Sequence, residues 1–131
     1  MKRKAVIVDC NKHNTTFIMV DIQNAKDILP YIMCDGIDSE FKDIRALLKE
    51  NTRNKEKYKK VDVSDKAKNM FEMRFIRNNR NDRIYCKEIS FGAKRFIVMV
   101  ELFCGKKNQE IPKKNKVRIE TMGGYDYELE Y

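Results

Sequence analysis

Apolar and polar positions recur with different periods along this chain, and each period predicts a different element. Phe96 to Phe103 is a run of eight mostly apolar residues with no clear two-residue alternation. Such a run predicts a strand covered on both faces at the centre of a sheet. Two more runs, Met70–Ile76 and Arg83–Ile89, lie upstream across short polar connections, and the three together predict an antiparallel meander. The first run carries Phe71, Met73 and Phe75 on one side and Glu72 and Arg74 on the other. In the second, Ile84 and Cys86 are apolar, while Arg83, Tyr85 and Lys87 are not. Matching apolar to apolar makes paired residue numbers sum to an odd value, as with Arg74 opposite Tyr85. A one-residue slip would bury charge. Arg74, Arg83, Tyr85 and Lys87 are therefore expected on one face, away from the helices.

Upstream, Ala5 to Cys10 reads as a short strand, Asn11 to Thr15 as a turn, and Phe17 to Asp21 as a second short strand. Ile22, Ala25, Ile28, Leu29 and Ile32 have helical spacing, with Pro30 expected to kink or end the helix near Leu29. Asp35-Gly36 is a turn. The clearest helix follows, capped by Asp38 or Ser39, with Phe41, Ile44, Leu47 and Leu48 as its apolar stripe. Residues 51–60 abandon periodicity and carry Arg53, Lys55, Lys57, Lys59 and Lys60 against a single Glu56. This reads as a frayed helix end and exposed loop, solvated or in contact with RNA. Pro112 is placed to start another helix, with Ile111, Val117 and Ile119 as weak anchors. The ending, Gly123 to Tyr131, is an acidic, tyrosine-rich tail with no assigned role.

Composition adds a partner class. The 131 residues make one domain of ordinary size, long enough for a core without a metal or disulfide staple. The net charge of +8 favours polyanionic partners, nucleic acid being the commonest. Cysteines at 10, 34, 86 and 104 form no Cys-x-x-Cys pair, so neither a zinc site nor a secreted disulfide framework is expected. The basic start precedes too short an apolar stretch for a signal peptide, and no window approaches a membrane-spanning length. A cytoplasmic protein with no metal, no cofactor and no membrane contact is expected.

Four motifs in order resemble the RelE/HigB-like toxins, especially the phage-related HigB branch. They are Met-Phe-Glu-Met-Arg-Phe at 70–75, Asn-Asp-Arg-Ile-Tyr at 81–85, Val-Met-Val-Glu-Leu-Phe at 98–103, and Lys-Lys-Asn-Gln-Glu-Ile-Pro at 106–112. The resemblance covers roughly residues 65–120, and the helical segment before it fits that family's two N-terminal helices. It implies a single toxin domain over residues 1–131 with a RelE/ParE-like α+β fold: a mostly meander antiparallel sheet with two N-terminal helices on one face. It implies the toxin of a type II toxin–antitoxin pair, cleaving mRNA in the ribosomal A site and held by a helix-turn-helix antitoxin. By position, Arg74, Arg83 and the Lys106-Lys107 pair fall on the family's motif residues. Two residues separate Phe103 from Lys106 where the family has one, and no His-Gly or Asn-Gly precedes the lysines.

Metal-independent RNA cleavage orients a 2′-hydroxyl in line with phosphorus, neutralises the phosphorane and protonates the leaving oxygen. The single histidine, His13, lies in the first turn, outside the matched region. Arg83 and Arg74 would stabilise charge, being always protonated, and Lys107 would shuttle protons if crowding lowers its pKa. Lys106, Tyr85, Lys87, Lys113 and Lys114 would contact the RNA, with Tyr85 as a stacking plane. The competing structural reading pairs the arginines with Glu72, Glu88 and Glu101 as surface ion pairs. The competing functions are a ParE-like toxin inhibiting DNA gyrase and an RNA-binding relative without catalysis.

Overall fold

A computed structural model describes residues 2–105 and 113–131. Its centre is the strand that the apolar run predicts. Phe96, Ile97, Val98, Met99 and Val100 are fully buried, alternating between two apolar layers on opposite sides of one sheet. The strands are β1 (Lys2–Cys10), β2 (Thr16–Asp21), β3 (Tyr58–Lys60), β4 (Met70–Phe75), β5 (Asp82–Phe91), β6 (Lys94–Phe103) and β7 (Asp126–Glu130). They lie in the order β3-β4-β5-β6-β2-β1-β7. Pairing is antiparallel from β3 through β6 and between β1 and β2, but parallel for β6 with β2 and for β1 with β7.

The helices are α1 (Ala25–Ile32), α2 (Ile37–Lys49) and α3 (Lys113–Gly123). Ile28 and Ile32 of α1 and Ile37, Phe41, Ile44 and Leu48 of α2 pack on Ile18, Val20, Met73, Phe75, Ile84, Ile97 and Met99. On the opposite face, Ile119 and Met122 of α3, with Val61 and Ala67, cover Met19, Met70, Tyr85, Phe96 and Val98.

The mostly antiparallel sheet with two helices on one face is thereby corrected. The sheet is mixed and seven-stranded, the meander is only its β4–β5–β6 part, and a third helix closes the second face. The physical reason lies in β6. A strand apolar on both sides needs cover on both, and α1 and α2 supply only one.

Local differences from the sequence expectation are informative. Pro30 does not end α1 near Leu29; the helix runs on to Ile32, with Pro30 exposed. Residues 58–60 are not loop but a short edge strand, and the acidic tail contributes β7. The odd-sum parity of the β4–β5 pair holds, but the register is two residues away from the example given, with Glu72 opposite Tyr85 and Arg74 opposite Arg83.

Two carboxylates, the buried Glu40 and the half-buried Asp82, fix the loops around this frame. Glu40 on α2 accepts from the backbone amides of Ile76 and Arg77 and from Arg80, which ties the β4–β5 turn to the helix. Asp82 accepts from the Tyr31 hydroxyl at 2.6 Å and the Gly105 amide at 2.8 Å, which fixes the end of β6.

Candidate nucleic-acid interface

Arg74, Arg83, Tyr85 and Lys87 do share one face of the β4–β5 pair, but α3 and residues 61–67 lie over that face. Arg83 is 3% exposed, and its Nη1 donates to both oxygens of Glu72 at 2.7 and 2.6 Å. Arg74 Nε stands 3.9 Å from the same carboxylate. Tyr85 is wholly buried, which with the nearby Glu72 charge pushes its pKa up to about 12. A side chain with no exposed surface cannot stack on a base. Lys87 donates to the carbonyls of Gly123 and Tyr125, so its ammonium caps the C-terminus of α3, and its burial lowers its pKa. The expected solvent-facing cationic surface is in fact an interior network. Lys106 and Lys107 lie outside the described residues, Lys113 and Lys114 begin α3, and His13 is exposed in the β1–β2 turn.

The expected surface pairing of Arg74 and Arg83 with Glu72, Glu88 and Glu101 forms only in part: Arg83 meets Glu72, but in the interior, and the other two glutamates are held by different arginines. Arg83 pairs with Glu72, Arg95 with Glu88, and Arg118 with Glu101. Burying an arginine, as at Arg83, requires such a partner, because the desolvated cation would otherwise cost on the order of several kcal/mol. Among the described residues the buried Nε of Arg74 and Arg83 and the Tyr85 hydroxyl have no hydrogen-bond partner.

Free cationic surface is gathered elsewhere, at the β3 edge. A cleft of about 620 Å³ opens there, lined by Arg53, Lys55, Lys59, Lys60, Tyr58 and Phe71 among others. Its construction begins at the end of α2. Asn51 adopts the left-handed conformation with φ 56°, and Thr52 N–H bonds back to Leu47 at 2.9 Å, so the chain leaves the helix sharply. Residues 52–55 then form one wall. The strand β3 pairs with β4, placing Tyr58 opposite Met73 and Lys60 opposite Phe71. Tyr58 and Phe71 stack in parallel, with centroids 5.1 Å apart and planes 3° from coplanar.

The cleft floor is held by a second ionic cluster. The Tyr58 hydroxyl donates to Glu88 at 2.5 Å, and Arg95 donates to the two Glu88 oxygens at 2.9 and 2.8 Å. Arg95 also reaches Asn51 Oδ1 at 3.3 Å, which joins the floor to the loop wall. Burial and the Glu88 charge push the Tyr58 pKa well up, while the Glu88 hydrogen bonds raise that of Arg95. Glu88 is thus neutralised within the floor, leaving Asp62, among the described residues, as the other acid of the lining against Arg53, Lys55, Lys59 and Lys60. A second cleft of about 580 Å³ shares Lys60, Phe71 and Glu88 with the first and adds Lys68, Asn69 and Tyr125.

Sequence reasoning named the basic residues of 51–60 but not Tyr58 or Phe71 as their companions. The available signal was the lone aromatic Tyr58 inside a lysine-rich run. Among the described residues, no three His, Cys, Asp or Glu side chains are grouped to hold a metal ion, and no helix is long and apolar enough to cross a membrane. Comparison with protein-family models, curated proteins and solved structures returns no match.

Proposed function

We propose that this protein binds RNA, holding its phosphate backbone along the basic cleft at the β3 edge. One observation carries the reading: four exposed cations, Arg53, Lys55, Lys59 and Lys60, line one cleft whose floor carboxylate is already paired with Arg95. Sequence-independent affinity for nucleic acid comes mainly from lysine and arginine at phosphates, and clustering is what makes it specific to a place. The net charge of +8 acts in the same direction, drawing a polyanion towards the surface at long range.

Cleavage is a separate proposal, and the interior position of Arg83 weighs against it. A charge-stabilising group must face the place where charge develops, whereas Arg83 faces Glu72. The toxin reading therefore rests on the sequence resemblance and on Lys106 and Lys107, which follow the fixed end of β6.

The test is the salt dependence of binding to a fluorescent single-stranded RNA. Log affinity should fall linearly with log salt, by roughly 0.7 per phosphate contact. Replacing Lys59 and Lys60 together by Gln should weaken binding and reduce that slope by roughly 1 to 1.5. Replacing the exposed Lys26 and Lys42, on the helices, should leave the slope unchanged. Equal losses for both pairs would mean diffuse attraction without a site. RNA fragmentation by the wild type, lost in a folded Arg83→Ala protein, would restore the nuclease reading.

A further inference from the structure

The shape of the cleft says more about the ligand than its charge does. Phosphate alone needs cations, and a duplex presents phosphates, sugars and base edges but keeps its base faces stacked out of reach. The two clefts meet at Phe71, an aromatic side chain left partly exposed on a strand whose neighbours Met70, Glu72 and Met73 are buried. Its ring is backed by Tyr58 in parallel stacking, and Tyr58 is itself held through its hydroxyl by the Glu88–Arg95 pair. The ring is therefore fixed in orientation before any ligand arrives, so little conformational freedom is lost when something stacks on it. Cations line the joined clefts, with Arg53, Lys55 and Lys59 in the first, Lys68 in the second and Lys60 in both, alongside the acids Asp62 in the first and Asp126 in the second.

We propose that Phe71 is a stacking platform for an unpaired nucleobase, with a single RNA strand passing from the first cleft into the second across it. This rests on the RNA-binding reading and narrows it to single strands. Base–aromatic stacking tolerates any sequence, because every base presents a π-face. A paired base inside a duplex has both faces covered and cannot reach the ring. The arrangement thus selects strandedness rather than sequence.

The experiment compares three ligands by fluorescence anisotropy: an oligouridylate, an abasic ribose-phosphate strand of the same length, and the oligouridylate paired with oligoadenylate. The uridylate should bind about 5- to 150-fold more tightly than the abasic strand, the range that one stacked base supplies. Phe71→Leu, which keeps an apolar side chain against Tyr58, should bring the uridylate-to-abasic affinity ratio down to about 1. Should the variant fail to fold, a photoreactive thiouridine strand on the wild-type protein should crosslink to the peptide carrying Phe71. Equal binding of uridylate and abasic strands, or crosslinking confined to other peptides, overturns the stacking proposal. If Lys59→Gln with Lys60→Gln still weakens both strands in that case, the RNA-binding reading survives alone. If no ligand binds, both fall together.

Discussion

Arg83 shows how a single buried partner changes a residue's role. Its side chain is 4% exposed and that of Glu72 is 5% exposed, so neither charge has water to fall back on. Arg83→Ala should destabilise the protein by about 3–5 kcal/mol, because it leaves the Glu72 carboxylate buried without its main partner. Arg74, at 3.9 Å, is too distant to replace a direct hydrogen bond. Chemical denaturation reads this directly. Converting Glu72 and Arg83 together to Met should recover most of the loss, since an apolar pair of similar volume carries no desolvation cost. A single mutant as stable as wild type would mean that the pair is open to solvent.

At the scale of elements, the joining of α3 to the second sheet face depends on a close backbone approach. A Cβ on Gly123 would meet the Lys66 carbonyl oxygen at 2.5 Å and the Ala67 Cα at 3.1 Å. Backbone atoms cannot rotate away, so Gly123→Ala should push α3 off the 65–67 turn and cost about 1–3 kcal/mol. Thermal melting checks it; an unchanged or raised melting temperature would contradict the approach. Elements of this kind were unevenly legible in the sequence. The β4–β5 parity could be read because Phe71, Met73, Phe75, Ile84 and Cys86 constrain it locally. The exact register could not, because a shift of two residues leaves the apolar pattern unchanged. Tyr58-Lys59-Lys60 is too short to show any period, so the wall of the cleft was invisible as a strand. Tyr125, Tyr127, Leu129 and Tyr131 alternate with Asp126, Glu128 and Glu130, a strand signal that the acidic charge obscured, so β7 was not read from the sequence. The cover on Arg83 and Tyr85 was not legible at all, because it depends on where α3 returns after β6. The basic run at 53–60 was visible as charge, but its meeting with Phe71 depends on the β3–β4 pairing.

For the whole molecule, the tyrosines couple folding to alkaline pH. Burial is the first cause of raised pKa values at Tyr31, Tyr58, Tyr85 and Tyr127, and the carboxylates Asp82, Glu88, Glu72 and Asp21 add to it in the same order. For Tyr85 the shift runs from 10 in the unfolded chain to about 12 in the folded protein. Between those values the unfolded state has released the phenolic proton and the folded state has kept it, so the stability slope with pH is negative. The stabilisation is complete below about pH 10 and is lost as pH rises through the folded values, at up to about 1.4 kcal/mol per pH unit for each such tyrosine. Two-state unfolding should therefore set in above about pH 10, with tyrosinate absorbance and loss of helical circular dichroism rising together. Tyr85→Phe should shift that midpoint upward, since it removes a group that must ionise only on unfolding. If all six tyrosines titrated smoothly near their ordinary value in a chain that remained folded, the closed second face would be refuted. The same result would reopen the Arg74–Arg83 face to solvent, and with it the possibility of phosphate contact there.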